Sequence, residues 1–148
     1  MRKLKSATSF AEVIVVVLFI GILSAVAIPR FSFSVINKTN AETISKKIVT
    51  DFRLTRRLSI SDVVNNPSGY KMVFFSNYYH IKSRDTDEII VENQIDPAIS
   101  VTGAANFRFT PLGNLEPDDG TSVTVSSSDR SFTISIVPST GMVTCTEN

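Results

Sequence analysis

Residues 10–29 read FAEVIVVVLFIGILSAVAIP, an apolar run that contains one carboxylate, Glu12, and ends at Pro29. A charged side chain in hydrocarbon costs about 2.5–3.5 kcal/mol at the centre of a helix and less near the interface. Ionisable residues in such segments usually serve a function and have a partner. The run therefore predicts a membrane segment, and the first question is which group pairs with Glu12.

The length and flanks of the run are those of a single membrane-spanning helix. Residues 10–28 correspond to about 29 Å of helix, close to the roughly 30 Å of a bilayer's hydrocarbon core. Arg2, Lys3 and Lys5 precede the run, and basic flanks favour the cytoplasmic side. We expect the chain to cross the membrane once and to place the residues beyond the run outside the cytoplasm.

The N-terminal residues resemble the start of type IV prepilins and pseudopilins. Residues 6–13 read SATSFAEV, and the apolar run and Pro29 follow them. The resemblance implies that prepilin peptidase cuts between Ala7 and Thr8, that the new N-terminus is methylated, and that Glu12 is the fifth mature residue. Ala7 stands where the family usually has glycine, and Thr8 where it usually has phenylalanine.

The free amine of such a mature chain is a suitable partner for Glu12, because a buried carboxylate needs a cationic neighbour. Thr8 and Glu12 are four residues apart, which corresponds to about 6 Å along a helix. A neighbouring subunit displaced by this distance would place its Thr8 amine beside Glu12 and fix a one-directional stagger. The family is thought to use its glutamate in this way.

Two other interpretations of the run remain open. The Glu12 carboxylate can extend to the membrane surface without a partner, because it lies near one end of the run. The run can also be an ordinary secretory signal, since Ala25-Val26-Ala27 is a small-residue cleavage motif and the start of the chain is basic. Such a signal would release a soluble protein, although its apolar part is usually about 7–15 residues long.

A second helix is predicted over residues 40–60. Its apolar face is formed by residues at steps of three and four, namely Ala41, Ile44, Ile48, Phe52, Thr55 and Leu58. The cations lie mostly off this face: Lys46, Lys47, Arg53, Arg56 and Arg57. We expect Pro29 to kink the chain before this helix and the apolar face to pack against a sheet.

Residues 70–145 read as short strands separated by turns. The alternation is clearest in residues 131–137, where Phe132, Ile134 and Ile136 share one face. Clusters of Pro, Gly, Asp and Asn mark the turns. We predict an α+β fold, with one long N-terminal helix, transmembrane then amphipathic, packed on an antiparallel β-sheet domain of about seven or eight strands.

Two C-terminal motifs resemble the H-type minor pseudopilins and their pilus relatives. Residues 107–113, FRFTPLG, are similar to an F-x-P-x-G turn of that group. Residues 133–137 and 141–143 are similar to its closing hairpin. Some pilus members of the group bind DNA through a basic C-terminal hairpin, but the corresponding turn here, residues 138–143, has no lysine or arginine.

The resemblance implies three segments: a prepilin leader over residues 1–7, a transmembrane assembly helix over 8–29 and a periplasmic pilin-like domain over 30–148. It implies a minor pilin or pseudopilin, a structural subunit of a type IV pilus or a type II secretion pseudopilus. The subunit would be anchored once in the bacterial inner membrane before it enters the filament. The implied partners are the membrane, prepilin peptidase, other pilins or pseudopilins, and the inner-membrane assembly platform.

The charge distribution argues against a large nucleic-acid surface. Residues 1–60 contain ten Lys/Arg and three Asp/Glu, whereas residues 61–148 contain five and eleven. Phosphate binding needs clustered cations, and few cations elsewhere reinforce Arg53, Arg56 and Arg57. We interpret these arginines as a solvated helix face and expect no nucleic-acid partner; a DNA-binding competence subunit is the alternative.

No residue pattern indicates catalysis, so we predict no enzyme, no cofactor and no metal. His80 is the single histidine and lies in a predicted strand, and Cys145 is the single cysteine. We interpret both as structural, although an exported free thiol can cross-link subunits. Glu116, Asp118 and Asp119 offer oxygen ligands for calcium, but their spacing is not that of an EF-hand.

Overall fold

The computed structural model describes residues 10–27, 33–128 and 130–148. Two helices and eight strands are present in these ranges. The first helix, α1, is Phe10–Ala27, and the second, α2, is Phe33–Ser61. The chain divides into two units, Met1–Phe33 and Ser34–Asn148, which are described separately below.

The predicted fold, one long N-terminal helix packed on an antiparallel sheet, is wrong. The described residues contain two separate helices, and the strands form two sheets instead of one. The helices differ because α1 is apolar on every side, whereas α2 has one apolar and one polar face. Only α2 therefore has a face that suits packing on a sheet. Pro29, the predicted helix breaker, lies outside the described residues.

The strands all pair antiparallel and form two four-stranded sheets. In chain order they are β1 Tyr70–Phe74, β2 Tyr78–Ser83, β3 Ile89–Gln94, β4 Ser100–Gly103, β5 Asn106–Phe109, β6 Ser122–Ser126, β7 Ser131–Val137 and β8 Met142–Glu147. The first sheet has the order β3-β2-β1-β5, and the second has the order β4-β6-β7-β8. The chain therefore leaves the first sheet after β3 to form β4 and returns to it with β5.

The core of the second unit is formed by aromatic and aliphatic side chains from α2 and both sheets. The ring of Phe52 on α2 lies 5.9, 4.9 and 6.4 Å from the rings of Phe74, Phe107 and Phe109. The second sheet contributes Phe132, Ile134 and Ile136, the alternate residues of β7, all of which are buried. Burying one such side chain contributes about 1.5–3 kcal/mol, so α2 is fixed mainly by this packing.

Hydrogen bonds help to fix the position of α2 on the first sheet. The Tyr79 hydroxyl donates to Asp51 at 2.6 Å, and the Asn93 side chain donates to the same carboxylate at 2.8 Å. Burial and the bond to Asp51 raise the pKa of Tyr79 above its ordinary value. Beyond the end of the helix, the Tyr70 hydroxyl donates to Asp62 at 2.6 Å, and burial together with this bond raises the pKa of Tyr70 to about 12.

Candidate functional site

Glu12 lies in the first turn of α1 and is exposed. The other predicted site residues, Ala7, Thr8 and Pro29, lie outside the described residues. The structure therefore describes one member of the predicted site. Its carboxylate is the group for which the sequence predicted a cationic partner, and its side chain is open to solvent.

The surface of α1 is apolar around its whole circumference. The large apolar side chains from Phe10 to Leu23 are between 49% exposed, at Ile14, and 80% exposed, at Phe10. The Ser24 hydroxyl donates to the Ile20 carbonyl at 2.7 Å, so its polarity is satisfied within the helix. Glu12 is thus the one charged residue of α1, and no other residue of that helix can neutralise it.

Among the helices that the structure describes, none combines the length and the hydropathy required to cross a membrane.

His80 lies on β2 in an aromatic environment. Its ring meets Phe75 edge-on at 4.9 Å and Tyr78 edge-on at 5.0 Å. Its Nδ1 lies 3.5 Å from Glu92 Oε2, too long for a good hydrogen bond. Within the part of the chain that the structure describes, this nitrogen is the one buried side-chain polar atom without a hydrogen bond. The environment is that of a packed ring rather than of a base held against a nucleophile.

Two of the three carboxylates in the acidic turn at residues 116–119 pair with arginines. Arg108 Nε donates to Asp119 at 2.9 Å, and the backbone NH of Arg108 donates to the other oxygen of that carboxylate. Glu116 pairs with Arg84 at 2.8 Å. Throughout the described ranges there is no group of three or more metal-ligating side chains. Asp119 therefore holds the turn to β5, and Glu116 holds it to the residue that follows β2.

The F-x-P-x-G turn and the turn before β8 pack against each other, which the sequence does not reveal. Gly113 and Gly141 both have positive φ, 80° and 63°. A Cβ at Gly141 would lie 2.0 Å from the Gly113 carbonyl oxygen, and one at Gly113 would lie 2.7 Å from Ile60 Cδ1. Gly141 requires glycine because of both conformation and space, whereas Gly113 requires it because of its conformation. The two motifs that carry the C-terminal resemblance therefore form one contact at the end of α2.

The arginines of α2 are not equivalent. Arg56 Nε donates to the Gly113 carbonyl at 3.0 Å, which holds the turn on the helix. Arg53 and Arg57 are exposed, and neither forms an ion pair with a carboxylate among the residues that the structure describes. The sequence predicted a solvated basic face here; the function of Arg56 in fixing a turn was missed, because no local pattern connects positions 56 and 113.

Cys145 lies exposed on β8. Partial burial raises the pKa of its thiol, and the nearby Lys46 opposes this shift. A thiol with a raised pKa is less reactive at neutral pH.

Comparisons with protein-family models, with curated proteins and with solved structures found no match to this chain.

Proposed function

We propose that the chain is a structural, non-enzymatic subunit of a bacterial envelope filament, either a minor type IV pilin or a minor pseudopilin of a type II secretion pseudopilus. The observation that carries this proposal is α1, whose apolar surface is exposed on all sides and interrupted by Glu12 alone. A helix with this surface needs lipid or other helices around it. Its carboxylate then needs a cation from another molecule.

In the proposed pathway, prepilin peptidase cuts between Ala7 and Thr8 at the cytoplasmic face of the inner membrane. The mature subunit is held there by its N-terminal helix, with the second unit in the periplasm. When the subunit enters a filament, the amine of one copy pairs with Glu12 of a neighbour displaced by about four residues, or about 6 Å. The assembly platform would supply the movement, and the charge pair would set the direction of growth.

The proposed membrane segment is longer than α1. The 18 residues of α1 correspond to about 27 Å, whereas the hydrocarbon core is about 30 Å thick. The proposal therefore requires residues on both sides of α1, within the 8–29 segment, to contribute to the span. A single-pass position in the inner membrane is accordingly part of the proposal and is tested with it.

The second unit suits a structural part rather than a catalyst. Its core residues hold α2 and two sheets together. Three carboxylates form hydrogen bonds that connect separate parts of the unit: Asp51 with Tyr79, Asp119 with Arg108 and Asp62 with Tyr70. In a filament such a unit would provide contacts to neighbouring subunits or to cargo.

N-terminal mass analysis of the protein from its native host tests the proposal most directly. A mature chain that begins at Thr8, with or without a methyl group, supports it. A mature chain that begins at Ile28 has lost Glu12 and is a secreted soluble protein, which overturns the proposal. An uncut chain that begins at Met1 also contradicts it, because no free amine is then placed four residues before Glu12. A host lacking prepilin peptidase is the control, and there the cut after Ala7 should disappear.

A further inference from the structure

A groove on the second unit combines positive charge with apolar side chains. It lies between α2 and the β7–β8 hairpin and has a volume of about 560 Å³. Arg53 and Arg56 of α2 line it, together with Val137 and Met142 of the hairpin. Met142 is 55% exposed and Val137 is 37% exposed, so apolar surface is open to solvent beside two guanidinium groups. We call this feature the α2 groove.

The positive charge of the α2 groove is uncompensated. The Nε of Arg56 is bound to a neutral carbonyl, that of Gly113. Arg53 pairs with none of the carboxylates in the described residues, although most other cations do, including Lys71, Lys82, Arg84, Arg108 and Arg130. A segment that fits the groove should therefore carry a carboxylate next to aliphatic side chains.

The same chain carries such a segment at the edge of its first sheet. Residues 88–92 read EIIVE, and β3 is an outer strand of the sheet. Ile89 is 47% exposed and Ile90 is 43% exposed. A bulge places Lys82 opposite Ile89 and Ile81 opposite Val91, which leaves Ile90 without a partner on β2. We call residues 88–92 the β3 edge segment.

The α2 groove and the β3 edge segment lie on opposite sides of α2. Asp51 points toward β3, because it accepts a hydrogen bond from Asn93. Arg53 lines the groove and lies two residues further along the helix, which corresponds to a rotation of about 200°. A copy therefore cannot fill its own groove with its own β3 edge segment. Contact between copies would be head-to-tail, with two different surfaces meeting. Such contacts form an open filament when the rotation from one copy to the next does not produce a closed ring.

We propose that the β3 edge segment of one copy docks in the α2 groove of the next, with Glu88 facing Arg53 and the isoleucines facing Met142 and Val137. This contact would be the interface between neighbouring subunits in the proposed filament. It rests on the proposed function only because that function brings copies of the chain together. Exposed ion pairs are individually weak. The contact is therefore expected where copies are concentrated on a membrane or in a filament.

Cysteine cross-linking of the full chain in vesicles tests this contact. All variants carry Cys145→Ser, and copies with Met142→Cys are mixed with copies with Ile90→Cys. A hetero-cross-link between them is expected. The matched control partner carries Val64→Cys, at a position that is 94% exposed and belongs to neither surface. Equal yields with Ile90→Cys and Val64→Cys overturn the proposal, as does a dominant Met142→Cys homodimer, which indicates a two-fold contact instead.

A charge exchange then tests the predicted pair. Arg53→Glu in the Met142→Cys copy should lower the hetero-cross-link yield at least about fivefold, because a weak attraction becomes a repulsion. Glu88→Lys in the Ile90→Cys copy should restore it, whereas Arg57→Glu, outside the groove, should change little. No loss with Arg53→Glu, or no recovery with Glu88→Lys, contradicts the contact; thermal unfolding confirms that each variant is folded.

The two proposals fail separately in this assay. Glu12→Ala removes the proposed α1 pair and leaves both docking surfaces intact, so the cross-link yield should be unchanged in this background. If the mature protein begins at Ile28, the same mixture is tested in solution, and a charge-dependent hetero-cross-link there supports the contact without the filament.

Discussion

The two helices of this protein differ in how much of their apolar surface is buried. α2 turns one face into a core of its own chain, where Phe52 meets three other rings. α1 has no such face, and its large apolar side chains from Phe10 to Leu23 are between 49% and 80% exposed. The difference indicates that the apolar face of α2 is covered within its own chain. Under the proposed function, lipid and neighbouring helices would surround α1. Glu12 is the one charged residue that α1 would present to them.

The largest effect is expected at Glu12. Removing one member of a buried ion pair costs about 3–5 kcal/mol, which corresponds to at least a hundredfold loss in an equilibrium. Glu12→Ala should therefore leave the amount of membrane-inserted protein unchanged and nearly abolish its incorporation into filaments, as measured by immunoblotting of sheared filaments and membranes. Ser24→Ala, on the same helix, is the control and should incorporate normally. Normal incorporation of Glu12→Ala would contradict the charge-pair mechanism.

The corresponding change in α2 is Phe52→Ala. We expect the second unit to lose about 3–5 kcal/mol of unfolding free energy, because the substitution leaves a cavity among the rings of the core. Urea denaturation followed by circular dichroism measures the loss. Leu112→Ala, at a side chain that is 88% exposed, is the control and should stay within about 0.5 kcal/mol of the wild type. A similar small loss for Phe52→Ala would show that α2 is not anchored by the core.

A smaller effect is expected for the hydrogen bonds that seat α2. Tyr79→Phe removes the hydroxyl that donates to Asp51 at 2.6 Å and leaves a carboxylate with one fewer partner, at a cost of about 1–3 kcal/mol. A double-mutant cycle with Tyr79→Phe, Asp51→Asn and the double variant measures the coupling energy between the two side chains, apart from the effect of each substitution alone. A coupling energy near zero would mean that packing alone positions α2 on the first sheet.

The smallest effect is a pH dependence at the end of α2. The hydrogen bond from Tyr70, followed by those from Asn65 and Asn66, lowers the pKa of Asp62 below its ordinary value of 3.8. A carboxyl group whose pKa is lower in the folded state stabilises the protein above its unfolded-state pKa, and this contribution is lost as the pH falls through the folded-state value. The melting temperature, measured from pH 6 down to pH 2, should therefore decrease once the pH is lower than 3.8.

Two variants sharpen that measurement. Asp62→Asn removes the titrating group and should flatten part of the fall in melting temperature. Tyr70→Phe removes the largest cause of the shift and should make the fall in melting temperature smaller, because the folded-state pKa of Asp62 then lies closer to its unfolded-state value. Profiles identical to the wild type for both variants would exclude Asp62 as a contributor to the acid sensitivity of the protein.

The sequence predicted the structure well where local sequence determines it. The alternation in residues 131–137 predicted a strand with Phe132, Ile134 and Ile136 on one face, and β7 has those bounds and that buried face. Alternation shows which side of a strand is buried, but it does not show which strands pair. The division into two sheets, with β4 beside β6, was therefore missed.

The same limit applies to the candidate site. Glu12 stands out from the sequence because a lone charge in an apolar run is visible locally. The α2 groove and the contact of Arg56 with Gly113 depend on residues that are distant along the chain, and no spacing rule connects them. The functional prediction therefore depends on the N-terminal pattern, whereas the surface of the second unit had to be read from its structure.

The close approach of Gly113 and Gly141 has a practical consequence for engineering and for evolution. Epitope tags or insertions placed in either turn would push it away from the other turn and loosen the end of α2. The bend near Ser127 and Ser128, which belongs to neither turn, is the safer position for a tag. In any diverged copy of this chain, a side chain gained at position 141 should be accompanied by a rearranged backbone at position 113, so the two positions are expected to covary.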